Sequence, residues 1–97
     1  MTRDEIITKL KETAPALRAE GVTRLAIFGS RARGDAREDS DLDVLIDVDD
    51  VKFSGLSLFG VQRIIKQATG LETQAEMRRS IEPRFAKRIA DDVIEVF

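Results

Sequence analysis

Asp41 and Asp43 stand two residues apart at the head of an apolar run, Leu42-Asp-Val-Leu-Ile-Asp-Val48. Residues at that spacing on a β-strand project to the same face, so the two carboxylates converge on one point. Like charges held that close are unfavourable unless a cation lies between them. Upstream, Gly29-Ser30 follows a second apolar run, Leu25-Ala-Ile-Phe28. A glycine after a buried strand permits a turn that a side chain would obstruct. Ser30 adds a hydroxyl, and the amides after it can face a phosphate, as at other strand–turn–helix junctions. Arg31 and Arg33 bring donors suited to phosphate oxygens. Ser40 or Asp39 can tie down the turn that enters the strand. The chemistry this combination suggests is a cation held beside a bound phosphate. An Asp-x-Asp pair alone reads more simply as a solvated strand edge. The preceding Gly-Ser-x-Ala-x-Gly favours the site over that plainer reading.

Composition narrows the metal. The chain has no cysteine and no histidine, which removes thiolate and imidazole ligands and an imidazole base. A catalytic metal must then be held by carboxylates, which favours magnesium or manganese. Magnesium takes few protein carboxylates and completes its shell with water and substrate phosphates, which suits two aspartates facing a phosphate turn.

At 97 residues the sequence fits one domain, taken as 1–97. Its apolar content of 42% allows a core, and its 35% of charged residues suits a solvated surface. No apolar run approaches the ~20 residues of a membrane span. The charged, periodic N-terminus is unlike a signal peptide, so a cytoplasmic location is expected. The net charge of −2 is unevenly spread: the stretch 29–50 is acid-rich, whereas Arg78, Arg79, Arg84, Lys87 and Arg88 cluster in 78–88. That basic stretch reads first as a solvated helix face. An acidic partner or a phosphate tail is the sharper alternative. With phenylalanine as the only aromatic and an acidic balance, nothing resembles a nucleic-acid stacking platform or a basic recognition helix.

The elements that must position the site follow from periodicity. Thr2-Arg-Asp-Glu5 is a capping box, so a helix starts near Arg3, with Ile6, Ile7, Leu10, Ala14 and Leu17 on one face. Pro15 should interrupt it near Thr13, and Gly21 should stop it. Strands are expected at Leu25–Phe28 and Leu42–Val48, joined by a turn. A helix is expected over 53–69, with Leu56, Phe59, Ile64, Ile65 and Ala68 as its apolar side. A polar strand over 72–77, a helix over 81–90 and a last strand over 93–97 complete the order. Strands alternating with helices predict an α/β or α+β fold, a mixed β-sheet flanked by helices.

Gly29-Ser30-Arg31-Ala32-Arg33-Gly34 followed by Ser40-Asp41-Leu42-Asp43 resembles the signature of the DNA polymerase beta-type nucleotidyltransferase superfamily. More closely, it resembles the minimal nucleotidyltransferases, the antitoxin partners of HEPN toxins. The resemblance is specific in this stretch and looser over the rest, including the leading helix and the Pro83-Arg84 helix. It implies a polymerase beta-like fold, ATP with Mg2+ (or Mn2+), and transfer of AMP to a hydroxyl. By that resemblance Gly29 and Ser30 hold the triphosphate, and Asp41 and Asp43 are the catalytic, metal-binding pair; Arg31, Arg33 and Ser40, read from their own chemistry, complete the expected nucleotide-binding set. Larger members carry an added helical domain for their acceptor; here the last predicted strand runs to Phe97. The acceptor surface is therefore expected on another chain, a HEPN toxin modified on a tyrosine, in a homo- or hetero-oligomer.

One position departs from the pattern. The family's third carboxylate, in a segment like Gly-x-x-Val-Asp-Leu-Val, falls on Gln74 when read from Gly70. An amide accepts hydrogen bonds but has no charge with which to hold a cation. Impaired transfer is the first expectation; the alternative is a degenerate fold that masks a toxin without catalysis. Glu72 or Glu76, on the same expected strand face, could substitute through a register slip or a bulge.

Overall fold

The computed structural model describes every residue from Met1 to Phe97. The chain opens with α1 (Arg3–Glu12), capped by the reciprocal Thr2/Glu5 box, and α2 (Ala14–Ala19). The expected interruption falls at Thr13, with Pro15 in the first turn of α2, where its missing N–H costs no helical bond. Ile6, Leu10, Ala14 and Leu17 form one buried stripe across both helices.

Next come β1 (Val22–Phe28), a short helix α3 (Gly29–Arg33), β2 (Leu42–Val48), α4 (Gly55–Thr69) and β3 (Thr73–Met77). A 3-10 turn (Arg78–Ser80), α5 (Pro83–Ile89) and a two-residue β4 (Ile94–Glu95) complete the chain. The sheet order is β3-β2-β1-β4. β1 runs antiparallel to β2 and β4, while β2 and β3 are parallel. A parallel pair needs a crossover, and α4 supplies it.

Alternation along β2 assigns the two faces. Leu42, Val44 and Ile46 join the large core with Ile6, Leu10, Leu17, Val61 and Ile65 beneath α1, α2 and α4. On the opposite face Leu45 joins a smaller cluster with Ala26, Phe28 and Ile89, covered by α5. Asp43 shares that second face, since side chains alternate with period two.

Three expectations are corrected. The connection after Phe28 is a helix of one and a half turns rather than a bare turn, closed by Gly34 in the left-handed conformation (φ 87°). The final strand shrinks from 93–97 to Ile94–Glu95. On α4 the buried stripe is Ser57, Gly60, Val61, Ile65 and Thr69, whereas Leu56 and Phe59 are 80% and 69% exposed. The reason is close packing at Gly60: a Cβ there would lie 3.0 Å from the Glu20 carboxyl carbon, so the glycine side of α4 turns inward.

Candidate functional site

The signature residues meet where β1 ends and β2 begins. Phe28, the last residue of β1, is the antiparallel partner of Asp43. The chain turns immediately afterwards at Gly29, whose φ of 76° few side-chain-bearing residues adopt. A Cβ on Gly29 would sit 2.6 Å from Oδ2 of Asp43. The glycine therefore permits both the turn and the approach of the carboxylate to the main chain. Burial pushes the Asp43 carboxyl above the usual range, helped by the charges of Asp41 and Glu76 and opposed by Arg33. Asp41 is exposed and lies just ahead of β2.

Ser30 lies in the first turn of α3. Its carbonyl accepts from the N–H groups of Gly34 (2.9 Å) and Asp35 (3.1 Å). Phe28, the N-cap residue, offers no side-chain bond to the helix start. The leading amides of α3 thus have no intrahelical acceptor and no cap, which leaves them available to an anion.

The two arginines differ in placement. The sequence pointed Arg31 at phosphate, but its guanidinium is turned into the protein and only 7% exposed. It donates from Nη2 to the carbonyls of Ser40 (2.9 Å) and Glu38 (3.1 Å), and from Nε to Ser40 (3.3 Å). Its fork thus clamps the loop that delivers Asp41. Ser40 completes the clamp, its Oγ accepting from the Arg37 N–H at 2.9 Å. Of the two residues considered for tying this turn, Ser40 does so. The only sequence signal for the clamp is the adjacency of Arg31 to core Ala32, too weak to separate it from a ligand-facing arginine. Arg33 stays exposed, paired with Asp35 (3.1 Å) and Asp92 (2.8 Å), and its charge reaches Asp43.

On the other flank, Gln74 of β3 is the parallel register partner of Asp43, and Glu76 that of Leu45. Both project to the Asp43 face, and the Glu76 charge is felt at Asp43. Glu72 does not project there; it lies before β3 and pairs with Lys66 of α4 at 2.5 Å. No group of three acids converges anywhere in the fold. The donor set nonetheless fits a hard divalent cation: a partly buried carboxylate at the start of β2 and an exposed one just ahead of it, each repelling the other.

The basic stretch divides. Arg78 bridges Asp47 (3.2 Å) and Glu95 (3.0 Å), and Arg79 pairs with Asp50. Arg84, Lys87 and Arg88 remain exposed on α5, with Arg88 over the Phe85 ring at 5.4 Å.

The nucleotidyltransferase domain family matches residues 4–96. The protein adenylyltransferase MntA of Thermococcus cleftensis is 32% identical over 97 residues, spanning 99% of this chain and 97% of that protein. A solved structure described as a candidate minimal nucleotidyltransferase superposes with a TM-score of 0.82 at 26% identity, over 97% of this chain and 95% of its own. Another holds a tri-AMPylated Shewanella oneidensis HEPN toxin in complex with its MNT antitoxin. The match there has a TM-score of 0.70 at 10% identity over 99% of this chain and 72% of the matched one, a likeness of fold alone. No helix is long and apolar enough to cross a membrane. With sequence similarity end to end and the superposition of its mixed sheet on that structure, the chain belongs to the nucleotidyltransferase domain family, in its minimal form.

Proposed function

We propose that this protein is an adenylyltransferase antitoxin that binds Mg-ATP and transfers AMP to a hydroxyl, a tyrosine, of a HEPN-type partner. The observation that carries this reading is the close approach of the Asp43 carboxylate to Gly29, which sets the glycine turn that would take the phosphates beside an acid that would hold the metal. The names of its relatives support the chemistry: one is a protein adenylyltransferase, and another structure pairs an MNT antitoxin with an AMPylated toxin. The use of ATP agrees with the expected cytoplasmic setting.

In this reading Asp41 and Asp43 hold the divalent cation, and Gly29 lets the main chain approach the triphosphate. The leading amides of α3 and the Ser30 hydroxyl bind the β- and γ-phosphates, and Arg33 adds charge beside them. Arg31 and Ser40 act by fixing the loop that carries Asp41. Bound Mg2+ supplies Lewis-acid polarisation of the phosphoryl oxygens. The hydroxyl oxygen bonds to the α-phosphorus as the bond to pyrophosphate breaks.

A second reading is favoured by Gln74, which removes a charge where a third carboxylate would serve the acceptor side. There the fold binds nucleotide and masks its toxin without turnover. Calorimetry with ATP and Mg2+ tests what both readings of the site share. The Asp41→Asn/Asp43→Asn variant should lose Mg-dependent affinity, and unchanged affinity would remove the metal assignment. Labelled AMP appearing on a co-purified partner then separates transfer from masking.

A further inference from the structure

Four large apolar side chains stay exposed, Met1, Val51, Leu56 and Phe59, and three of them fall within 51–59. Leu56 and Phe59 share the outward side of α4 with Arg63, since positions three and four apart lie on one helix face. The inward side of the same helix already buries Val61 and Ile65 in the core. Apolar residues scattered singly over a surface are ordinary. An apolar pair one turn apart, on a helix that has buried its own stripe, marks a contact face.

The charges around that pair are unmatched as well. Glu20, the C-cap residue of α2, lies against α4 at Gly60, where a Cβ would stand 3.0 Å from its carboxyl carbon. A helix C-terminus is an unfavourable place for a carboxylate, yet Glu20 forms no ion pair. Arg63, one turn beyond Gly60, is exposed and forms none either, whereas Lys66 on the same helix is engaged by Glu72. The face therefore combines an apolar centre with one unpaired acid and one unpaired cation.

A patch that holds both signs of charge is complementary to itself. An isologous contact brings the same patch of two subunits together, so each unlike pair forms twice. In an antiparallel pair of α4 helices with the two-fold axis at Phe59, residues before the axis on one protomer meet residues after it on its partner. Leu56 of each then lies along the alkyl stem of the other Arg63. Long helical side chains lean toward the N-terminus, which carries the Arg63 guanidinium back toward the axis, where Glu20 stands beside Gly60.

We propose that the exposed side of α4 joins two copies of this chain in a two-fold dimer, with Leu56 and Phe59 at its centre and Glu20 of each protomer paired with Arg63 of its partner. The helices α1, α2 and α4 cover the sheet face opposite Asp43, so both Gly29/Asp43 sites stay open in the dimer. A contact this small belongs with weak, reversible interfaces, and its dissociation constant falls in the micromolar range.

Sedimentation equilibrium of the free chain, from micromolar to millimolar concentration, should show the mass rising toward that of two chains. Phe59→Ser, at an exposed position, should raise the dissociation constant about thirtyfold or more, the scale of an interface hot spot, and leave Mg-ATP affinity unchanged. Glu20→Lys and Arg63→Glu should each weaken the dimer about tenfold or more, because both cross-contacts become like-charged. Mixed together, these two variants should recover wild-type affinity as a heterodimer, in which one cross-contact keeps the native pair and the other holds it reversed. Glu20→Gln, which keeps the shape packed against Gly60, should weaken association in the same direction. A monomer at every concentration would overturn the dimer, as would indifference to Phe59→Ser or a mixture no tighter than either charge variant alone. Loss of a co-purified partner on Phe59→Ser, with the free chain monomeric, would assign the face to that partner and overturn it too.

Discussion

The carboxylate of Asp43 occupies the space that a side chain on Gly29 would need: Oδ2 lies 2.6 Å from the Cβ position. The turn and the acid are therefore packed as one unit, although 13 residues lie between them in the chain. Gly29→Ala would strain a backbone at φ 76° and displace the carboxylate together. The left-handed conformation alone costs a residue with a Cβ about 1–2 kcal/mol. The variant should unfold at lower denaturant by at least that amount and lose Mg-dependent ATP binding. Retained binding at wild-type affinity would show that the contact does not build the site.

Asp43 should lower the stability of the metal-free protein. Its folded-state pKa is raised, chiefly by burial and then by Asp41 and Glu76. Below the ordinary carboxyl pKa of about 3.9 the group is neutral in both states and costs nothing. As pH rises through the raised folded value, ionisation favours the unfolded chain and stability falls. Asp43→Asn removes that loss. In thermal unfolding without metal, the variant should match the wild type in acid and exceed it near neutrality. Adding Mg2+ should raise the melting temperature of the wild type alone. A difference between the two proteins that does not change with pH would refute this account.

Arg31 is a positioning residue. Its fork makes three hydrogen bonds to the carbonyls of Glu38 and Ser40 from a site 7% exposed. Lysine keeps the charge but cannot reproduce a planar fork. Arg31→Lys should cost roughly 1–3 kcal/mol, the range for an unmet buried hydrogen-bonding group. Because the loop leads directly into Asp41, Mg2+ affinity should fall in the same variant while Arg33→Lys changes stability little. Urea titration and calorimetry read the two effects separately.

The framework was legible because it rests on local chemistry. The Thr2/Glu5 box, Pro15 and the alternation of β2 each fix an element from neighbouring residues. Three features were hidden because they depend on partners distant in sequence. Arg31 reads as a phosphate ligand until the 38–40 loop folds back over it. Leu56 and Phe59 fit the helical period of α4, and only the packing of Gly60 against Glu20 turns them outward. Glu72 and Glu76 look equivalent until Lys66 captures one of them.

Gln74 lies directly across from Asp43 in the parallel register of β2 and β3, so an acid there would face the existing pair. Gln74→Asp should act in opposite directions in two assays. Without metal, a third carboxylate adds like charge to a site where Asp43 is already disfavoured, and the melting temperature should fall. With Mg2+ and ATP the same charge would add a third carboxylate to the cation site, and AMP transfer to the partner should rise at least about tenfold, which corresponds to ~1.4 kcal/mol of barrier. A wild-type protein that already transfers as fast as Gln74→Asp would mean that the amide does not limit the reaction.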